Sequence, residues 1–297
     1  MRWERRSTPL EQKPNASINQ GARLLAGLCA VCRTGELRVR LVVMNAPISR
    51  KGGCAIAVMA KAPRPGLVKT RLVPPLSPTS ASALSASFLR DITENITLAA
   101  RAAKIHGYVA YAPIGLEATF DGMLASGTRL VPADGAGISI PGVCGFGRSL
   151  LQAAQALFAR GHHAVCLVNS DSPTLPTRHL VEAAEVLAGA GDRMVLGPAE
   201  DGGYYVIGIK APHLHLFQDI VWGTAEVAAE TRMRAAALGL PVVELDTWYD
   251  VDDAVSLRRL CDELASASVG DTTRAYSAPA TADCLARWRI PELLTAV

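Results

Sequence analysis

The chain has 297 residues, 49% of them hydrophobic and 19% charged, with a formal net charge of +3. That length can bury a full α/β core, and one domain with loose ends is expected. So mild a charge gives no case for nucleic acid, and aromatics at 5% leave few rings for base stacking.

No apolar run reaches the ~18 residues that a membrane helix needs. The 7 cysteines are scattered, with Cys54 and Cys166 inside apolar runs. Buried thiols of that kind suit a reducing compartment, so a cytoplasmic protein is expected. Cys29 and Cys32 form the one CxxC, without a second pair to complete a zinc site.

Residues 1–50 read as a disordered N-terminal extension: MRWERRSTPLEQKPNASINQ is polar, Arg-rich and without apolar period. Ala22 to Val31 is apolar, but it spans about half a membrane and has no convincing cleavage site. The stretch before Met44 is either an extension from an upstream start codon, a targeting leader, or a loosely attached strand pair over Leu37 to Val43. The first is favoured.

The stretch AIAVMAKAPRPGLVKTRL, Ala55 to Leu72, organises the rest of the chain. Ala55 to Ala60 has the look of a central parallel strand buried on both faces. The loop after it carries Lys61, Arg64, Lys69 and Arg71 around Pro63, Pro65 and Gly66, and no carboxylate appears until Asp91. Prolines fix its path, Gly66 admits a ligand close to backbone, and cations can surround an anion. A phosphate-binding loop at the carboxyl edge of a sheet has this form; a solvated basic loop is the plain alternative. It is not a P-loop, because Val68 stands where a Gly must precede the Lys-Thr pair.

Ser77 and Pro78 suit the cap and first turn of a helix in which Leu84, Phe88, Ile92 and Ile96 recur at four-residue spacing, with Arg90, Asp91, Glu94 and Asn95 on the other face. Strands are expected over Tyr108–Ala112, Arg129–Pro132, Ala164–Val168, Met194–Leu196, Tyr204–Ile209 and Val242–Leu245. Helices are expected over Gly147–Arg160, Val181–Leu187, Ala225–Leu238 and Val255–Leu264. This alternation predicts a doubly wound, mostly parallel sheet with helices on both faces. His162 and His163 fall at a helix end and read as solvated or capping. Past Ala265 the chain is Ala/Ser/Thr-rich, and Trp288 to Leu294 either docks as a short helix or floats.

Three stretches carry chemistry. In AVCLVNSDSPTLP a buried strand delivers Asn169, Ser170, Asp171 and Ser172 to its carboxyl end, where α/β proteins bind ligands. Asp171 suits Mg²⁺ or Mn²⁺ bridging to phosphate; a turn or a cap is the competing role. In TWYDVDDAVSL, Asp250 and Asp252 point to one side of an extended backbone and could add a second ligand, unless Asp252 or Asp253 simply caps the last helix. In GPAEDGGYYVIG, the acids Glu200 and Asp201 precede Gly202 and Gly203, a pair that allows a tight turn against a ligand or an ordinary hairpin.

The catalytic candidates are Lys69, Arg71 and Asp201. The nucleotide-binding set is Lys61, Ala62, Pro63, Gly66, Lys69, Arg71 and Ser170. Glu200, Asp201, Gly202, Gly203 and Tyr204, with Trp222 and Thr224 of DIVWGTAEV, are set on the sugar or acceptor side, although Thr224 could instead cap the next helix. Asp171, Asp250 and Asp252 are the metal candidates.

The blocks AKAPRPGLVKTRL, NSDSPTLP, GPAEDGGYYVIGI, VWGTAEV, a following ETR and YDVDD keep the order and approximate spacing of one bacterial family. From about Ala55 to Leu264 the chain resembles the DUF2064 group, also called radical-SAM/selenodomain-associated transferases or arsenosugar-biosynthesis glycosyltransferases. The resemblance implies a GT-A-like (nucleotide-diphospho-sugar transferase) α/β domain over residues 51–264, followed by a tail at 265–297. It implies nucleotide phosphate binding by the Lys69/Arg71 loop. Asp171 looks like the acidic metal-holding motif, and Asp250 and Asp252 like a late acidic block beside it.

The expected activity is metal-dependent glycosyl transfer from a nucleotide-diphospho-sugar to a small-molecule acceptor. The alternatives are nucleotidyl transfer with release of pyrophosphate, and nucleotide binding without turnover. One block departs from the family pattern: GVCGFGRSLL keeps Gly147 but has Gly145, Arg148 and Ser149 where charged residues are expected.

Overall fold

The computed structural model describes residues 52–266 and 275–295. The expectations for residues 1–50, including the Cys29–Cys32 pair and the start near Met44, lie outside them.

The strands are β1 (Gly52–Lys61), β2 (Ile105–Ala112), β3 (Arg129–Pro132), β4 (His162–Val168), β5 (Met194–Pro198), β6 (Tyr204–Ile209) and β7 (Val242–Glu244). The helices are α1 (Pro78–Ala99), α2 (Phe146–Ala159), α3 (Thr177–Ala188), α4 (Val227–Ala237), α5 (Ala254–Ser266), α6 (Pro279–Arg287) and α7 (Ile290–Thr295). All seven strands join one sheet in the order β3-β2-β1-β4-β6-β5-β7. Neighbours are parallel except at β6, which runs antiparallel to both β4 and β5. The α/β fold class and the mostly parallel sheet are as the sequence predicts.

The central strand shows why. β1 alternates: Ile56 and Val58 pack with α1 and α3 residues such as Leu89, Ile92, Leu180 and Leu187, while Ala55 and Ala57 pack with α2 residues such as Leu150 and Leu157. Both faces of the strand are covered, and the continuous apolar run is the sequence trace of that double burial. In register, Val58 lies between Val109 of β2 and Val168 of β4. The carboxyl ends of β1, β2 and β4 therefore finish together on one edge.

α1 begins as expected, with Ser77 accepting from the Ser80 N–H and Pro78 in the first turn. Its polar face is divided: Arg90 and Glu94 are half-buried and pair with each other. Asp91 and Asn95 are buried: Asn95 donates to the Leu175 carbonyl at 2.6 Å and accepts from the Thr177 hydroxyl. Asp91 accepts from the backbone N–H groups of Ala280 and Thr281, at 3.0 and 2.7 Å, and so caps α6 from outside its own segment. The C-terminal stretch carries helices over Pro279–Arg287 and Ile290–Thr295 instead of one over Trp288 to Leu294. Leu285, Ile290 and Leu294 join Leu84 and Phe88 of α1 and Leu257 and Leu260 of α5 in a third core cluster.

His162 and His163 are neither caps nor solvated. Gly161, at φ +87, turns the chain directly into β4, whose first two residues they are. His162 is buried 2.8 Å from the Tyr108 hydroxyl and 3.1 Å from the Gly53 carbonyl.

Burial pushes the Asp91 carboxyl up to about 6, and the two helix N–H groups offset this only in part. With a folded pKa above the unfolded one, the group's contribution is fully present below the unfolded value of 3.8 and is lost as pH rises through about 6. Wild type is therefore expected to lose on the order of 2 kcal/mol relative to Asp91→Asn across that window. Urea melts from pH 4 to 7 check it: parallel stability curves for the two proteins would remove the assignment.

Candidate functional site

The loop after β1 is built as a stiff arm. Ala62 continues the ladder by donating to the Ala112 carbonyl, Ala62 and Pro63 are buried, and residues 64–67 form an exposed turn closed by the Leu67 N–H on the Arg64 carbonyl. Lys69 then takes a left-handed backbone, φ 49 and ψ 37, before a short 3-10 helix, Thr70–Leu72, is anchored by buried Leu72.

The four loop cations separate into two kinds. The Lys69 side chain is only 6% exposed; its ammonium lies 2.6 Å from Asp171 Oδ1 and 3.3 Å from Asp252 Oδ1, and it donates to the Val251 carbonyl at 2.6 Å. The Arg71 side chain is 77% exposed and pairs only loosely with Asp252, at 3.7 Å. Lys61 and Arg64 are exposed, and neither forms an ion pair among the described residues.

Asp171 arrives on the turn after β4. It caps no helix, since Pro176 holds that place at α3. The Asp171 carbonyl accepts from the Val251 N–H at 2.9 Å, and the Ser172 hydroxyl donates to the Tyr249 carbonyl at 2.8 Å. These two bonds stitch the end of β4 to the segment 249–252. At α5 the capping is done by Asp253, whose Oδ1 accepts from the Ser256 N–H at 2.8 Å. The Asp252 carboxylate is thus left to face Lys69 and Arg71. Asp250 sits behind it; burial first, then repulsion from Asp201, Asp252 and Asp171, pushes its carboxyl up to about 6.

A cavity of about 420 Å³ opens at this edge, and Lys61, Lys69, Arg71, Ser170, Asp171 and Asp252 line it. Residues outside the candidate site sets line it too. Leu67 and Phe146 are large apolar side chains 54% and 45% exposed, and Ser149 and Asn169 add polar atoms. Phe146 and Ser149 belong to the block that departs from the family pattern. An aromatic at the very start of an amphipathic helix was the available signal.

The proposed sugar or acceptor residues are placed beside the acids or apart from the cavity. Asp201 neighbours Asp250 electrostatically, and its Oδ1 accepts from the Gly203 N–H at 2.8 Å, closing the turn between β5 and β6. Glu200 makes a two-pronged ion pair with Arg259, at 2.6 and 3.1 Å, and Arg259 lies over the Tyr249 ring. An open hollow of about 560 Å³ runs along α5 next to this pair. Tyr204 packs against the core on the α2 side, and burial raises its hydroxyl pKa. Trp222 lies edge-on to Phe146, with ring centroids 5.6 Å apart, and crowds Gly147 at the start of α2. Thr224 does not cap α4; its hydroxyl donates to the Val221 carbonyl and Glu226 takes the cap position.

Gly202 is required by the turn. Its φ is +88, and a Cβ there would stand 2.1 Å from the Ala225 carbonyl oxygen. Gly202→Ala is expected to cost about 2–4 kcal/mol, from strain and the collision together. A chemical melt reads this directly; a loss below about 0.5 kcal/mol, the level of a neutral surface change, would show that the turn is slack.

Hard carboxylate oxygens suit Mg²⁺ or Mn²⁺ in kind. Among the described residues, however, no three His, Cys, Asp or Glu side chains stand as a ready ligand set. The cation between Asp171 and Asp252 is the Lys69 ammonium. A metal would need Lys69 to yield its place and a ligand's own oxygens to complete the shell.

The sheet order, the reversed β6 and the cavity at the strand ends define the class first. A structure from Desulfovibrio desulfuricans G20, a candidate nucleotide-diphospho-sugar transferase, superposes with a TM-score of 0.64 at 26% identity, over 81% of this chain and 98% of that one. The fold is the GT-A-like fold of nucleotide-diphospho-sugar transferases. As to family, residues 96–224 match the one described as "Uncharacterized protein conserved in bacteria (DUF2064)", in agreement with the resemblance read from the blocks. A cytidylyltransferase from Leptospira borgpetersenii serovar Hardjo-bovis (strain JB197) superposes at TM-score 0.47 and 10% identity, over 82% of this chain and 97% of that one. Glucosyl-3-phosphoglycerate synthase from Mycobacterium tuberculosis, in complex with Mn²⁺, UDP and glucosyl-3-phosphoglycerate, gives 0.43 and 12%, over 75% and 84%. No curated protein matches the chain.

Proposed function

We propose that the protein is a transferase that takes a nucleotide-diphospho-sugar and passes the sugar to a small acceptor. The observation that carries this is the meeting of exposed loop cations with an acid cluster across one cavity at the strand ends. Lys61 and Arg71, which line the cavity, would hold phosphate oxygens, with Lys69 joining them when released from its carboxylates. The apolar flanks Leu67 and Phe146 leave room for the rest of a nucleotide. The fold likeness to a candidate transferase of this class supports the same reading.

Asp171 and Asp252, with Asp250 behind, would hold a divalent cation, Mg²⁺ or Mn²⁺. Such an ion would neutralise charge on a departing diphosphate. Asp201, at the Gly202–Gly203 turn, faces the acceptor side and is the candidate for orienting or deprotonating an acceptor hydroxyl. Glu200 is engaged by Arg259 and serves there as a wall of the acceptor side. Among the described residues no helix is long and apolar enough to cross a membrane, and we place the activity in the cytoplasm.

Nucleotidyl transfer is the second reading. Lys61 and Arg64, both exposed and without an ion-pair partner among the described residues, add cation capacity that would suit a triphosphate. The test incubates the full chain with Mn²⁺ and a panel of nucleotide sugars, or nucleoside triphosphates with phosphorylated acceptors. Free nucleoside diphosphate establishes glycosyl transfer. Pyrophosphate establishes the second reading. Binding with neither product leaves a nucleotide-binding protein without turnover.

A further inference from the structure

Lys69 differs from the other loop cations in burial, in partners and in backbone. Arg71 and Lys61 are exposed, whereas the Lys69 ammonium is shielded and surrounded by three oxygens: Asp171 Oδ1, Asp252 Oδ1 and the Val251 carbonyl. Its backbone is left-handed, a region that a side-chain-bearing residue occupies only when its surroundings impose it.

The two carboxylates do not owe their closeness to Lys69. The Val251–Asp171 and Ser172–Tyr249 hydrogen bonds already hold their segments together. Nor does Lys69 balance the charge. Asp250 lies close enough to Asp171 and Asp252 to be repelled by both, so three carboxylates meet one buried ammonium and a loosely placed guanidinium. The cluster retains an attraction for cations, yet its cation position is occupied by the chain itself.

We propose that Lys69 is a displaceable internal counterion: it fills the space between Asp171 and Asp252 until the phosphates of a ligand draw it into the cavity, and so bars a divalent metal from entering ahead of that ligand. The phosphate half of this rests on the reading of the cavity as a nucleotide-diphosphate site. The metal half rests only on the Lys69 contacts. A metal and the ammonium both need Asp171 and Asp252, and their charges repel at such distances, so they exclude one another. Lys69 also lines the cavity, as Lys61 and Arg71 do, which gives its ammonium a second place to go. Binding of phosphate would then free the carboxylates, and the two ligands would promote each other's binding.

The test is a titration of Mn²⁺ alone, followed by electron paramagnetic resonance, on the full chain and on Lys69→Met and Lys69→Arg. Lys69→Met is expected to bind Mn²⁺ about 10-fold or more tightly than wild type, because the competing charge is gone. Lys69→Arg, which keeps the charge, should stay near wild type. In wild type, added pyrophosphate should tighten Mn²⁺ binding, and by a larger factor than in Lys69→Met. Equal or weaker Mn²⁺ binding by a folded Lys69→Met overturns the proposal. So does a wild type that binds Mn²⁺ as well without pyrophosphate as with it, and that result needs no variant. Failure of the nucleotide reading would appear separately, as no binding of any nucleotide or nucleotide sugar.

Discussion

Arg71→Ala is expected to lower kcat by about 100-fold or more while changing the KM for the nucleotide sugar far less. In either transfer, negative charge builds on the departing phosphate group, and a donor aimed there acts more strongly in the transition state than in the ground state. Loss of one preorganised donor of this kind costs about 10²–10³ in kcat. Arg71 has the required freedom. It lines the cavity, its side chain is largely in solvent, and its ion pair with Asp252 is long at 3.7 Å. The loop that carries it is fixed by buried Ala62, Pro63 and Leu72 on either side of the exposed tip. Arg71→Lys should recover only part of the loss, because a point charge replaces a fork that can make two parallel bonds to phosphate oxygens. Steady-state kinetics on the best donor from the panel decides the matter. Near-normal kcat in Arg71→Ala would reduce the loop to a solvated surface feature.

The features of this molecule that are legible in its sequence are those that depend on near neighbours. The β1 run reads correctly because burial on both faces leaves no polar position in it, and α1 starts at Ser77 and Pro78 because capping is a matter of three residues. The burial of Asp91 and Asn95 on the polar face of α1 is hidden for the opposite reason. The groups that satisfy Asp91 are the N–H groups of Ala280 and Thr281, nearly the length of the domain away. A local pattern cannot announce them.

The site divides in the same way. Lys69, Arg71, Asp171 and Asp252 are identifiable as charged groups on loops after strands, and the structure brings them to one cavity. That Lys69 is held by two of the acids is a contact across about a hundred residues and more, so the sequence shows a free cation where the fold has a paired one. The rivalry between Asp252 and Asp253 for the α5 cap is settled by Ser256, whose N–H and hydroxyl both engage Asp253. Tyr204 illustrates the limit of a contiguous motif. It adjoins Gly203 in the chain, yet strand alternation turns it into the core.

Asp171→Asn is expected to remove the metal dependence of nucleotide binding. Asp171 presents a carboxylate at the end of the strand next to β1, and its backbone is bonded to the segment that carries Asp252. If the two acids share an ion with the phosphates of a ligand, chelation should weaken nucleotide binding by wild type by about 10-fold or more, since even outer-shell changes cost 10–100-fold in metal affinity. In Asp171→Asn, binding should already be weak, and a chelator should change it little further. The substitution also removes the charge of one Lys69 partner, leaving the ammonium Asp252 as its one charged partner beside the Val251 carbonyl and a neutral amide oxygen. That release favours phosphate and works against the loss, which makes the response to chelator, more than the affinity itself, the quantity to compare. Calorimetric titration of a nucleoside diphosphate with and without excess chelator, on wild type and variant, supplies all four values. A wild-type affinity that excess chelator leaves unchanged would mean that Lys61, Lys69 and Arg71 hold the phosphates without a metal, and that Asp171 serves only to position Lys69.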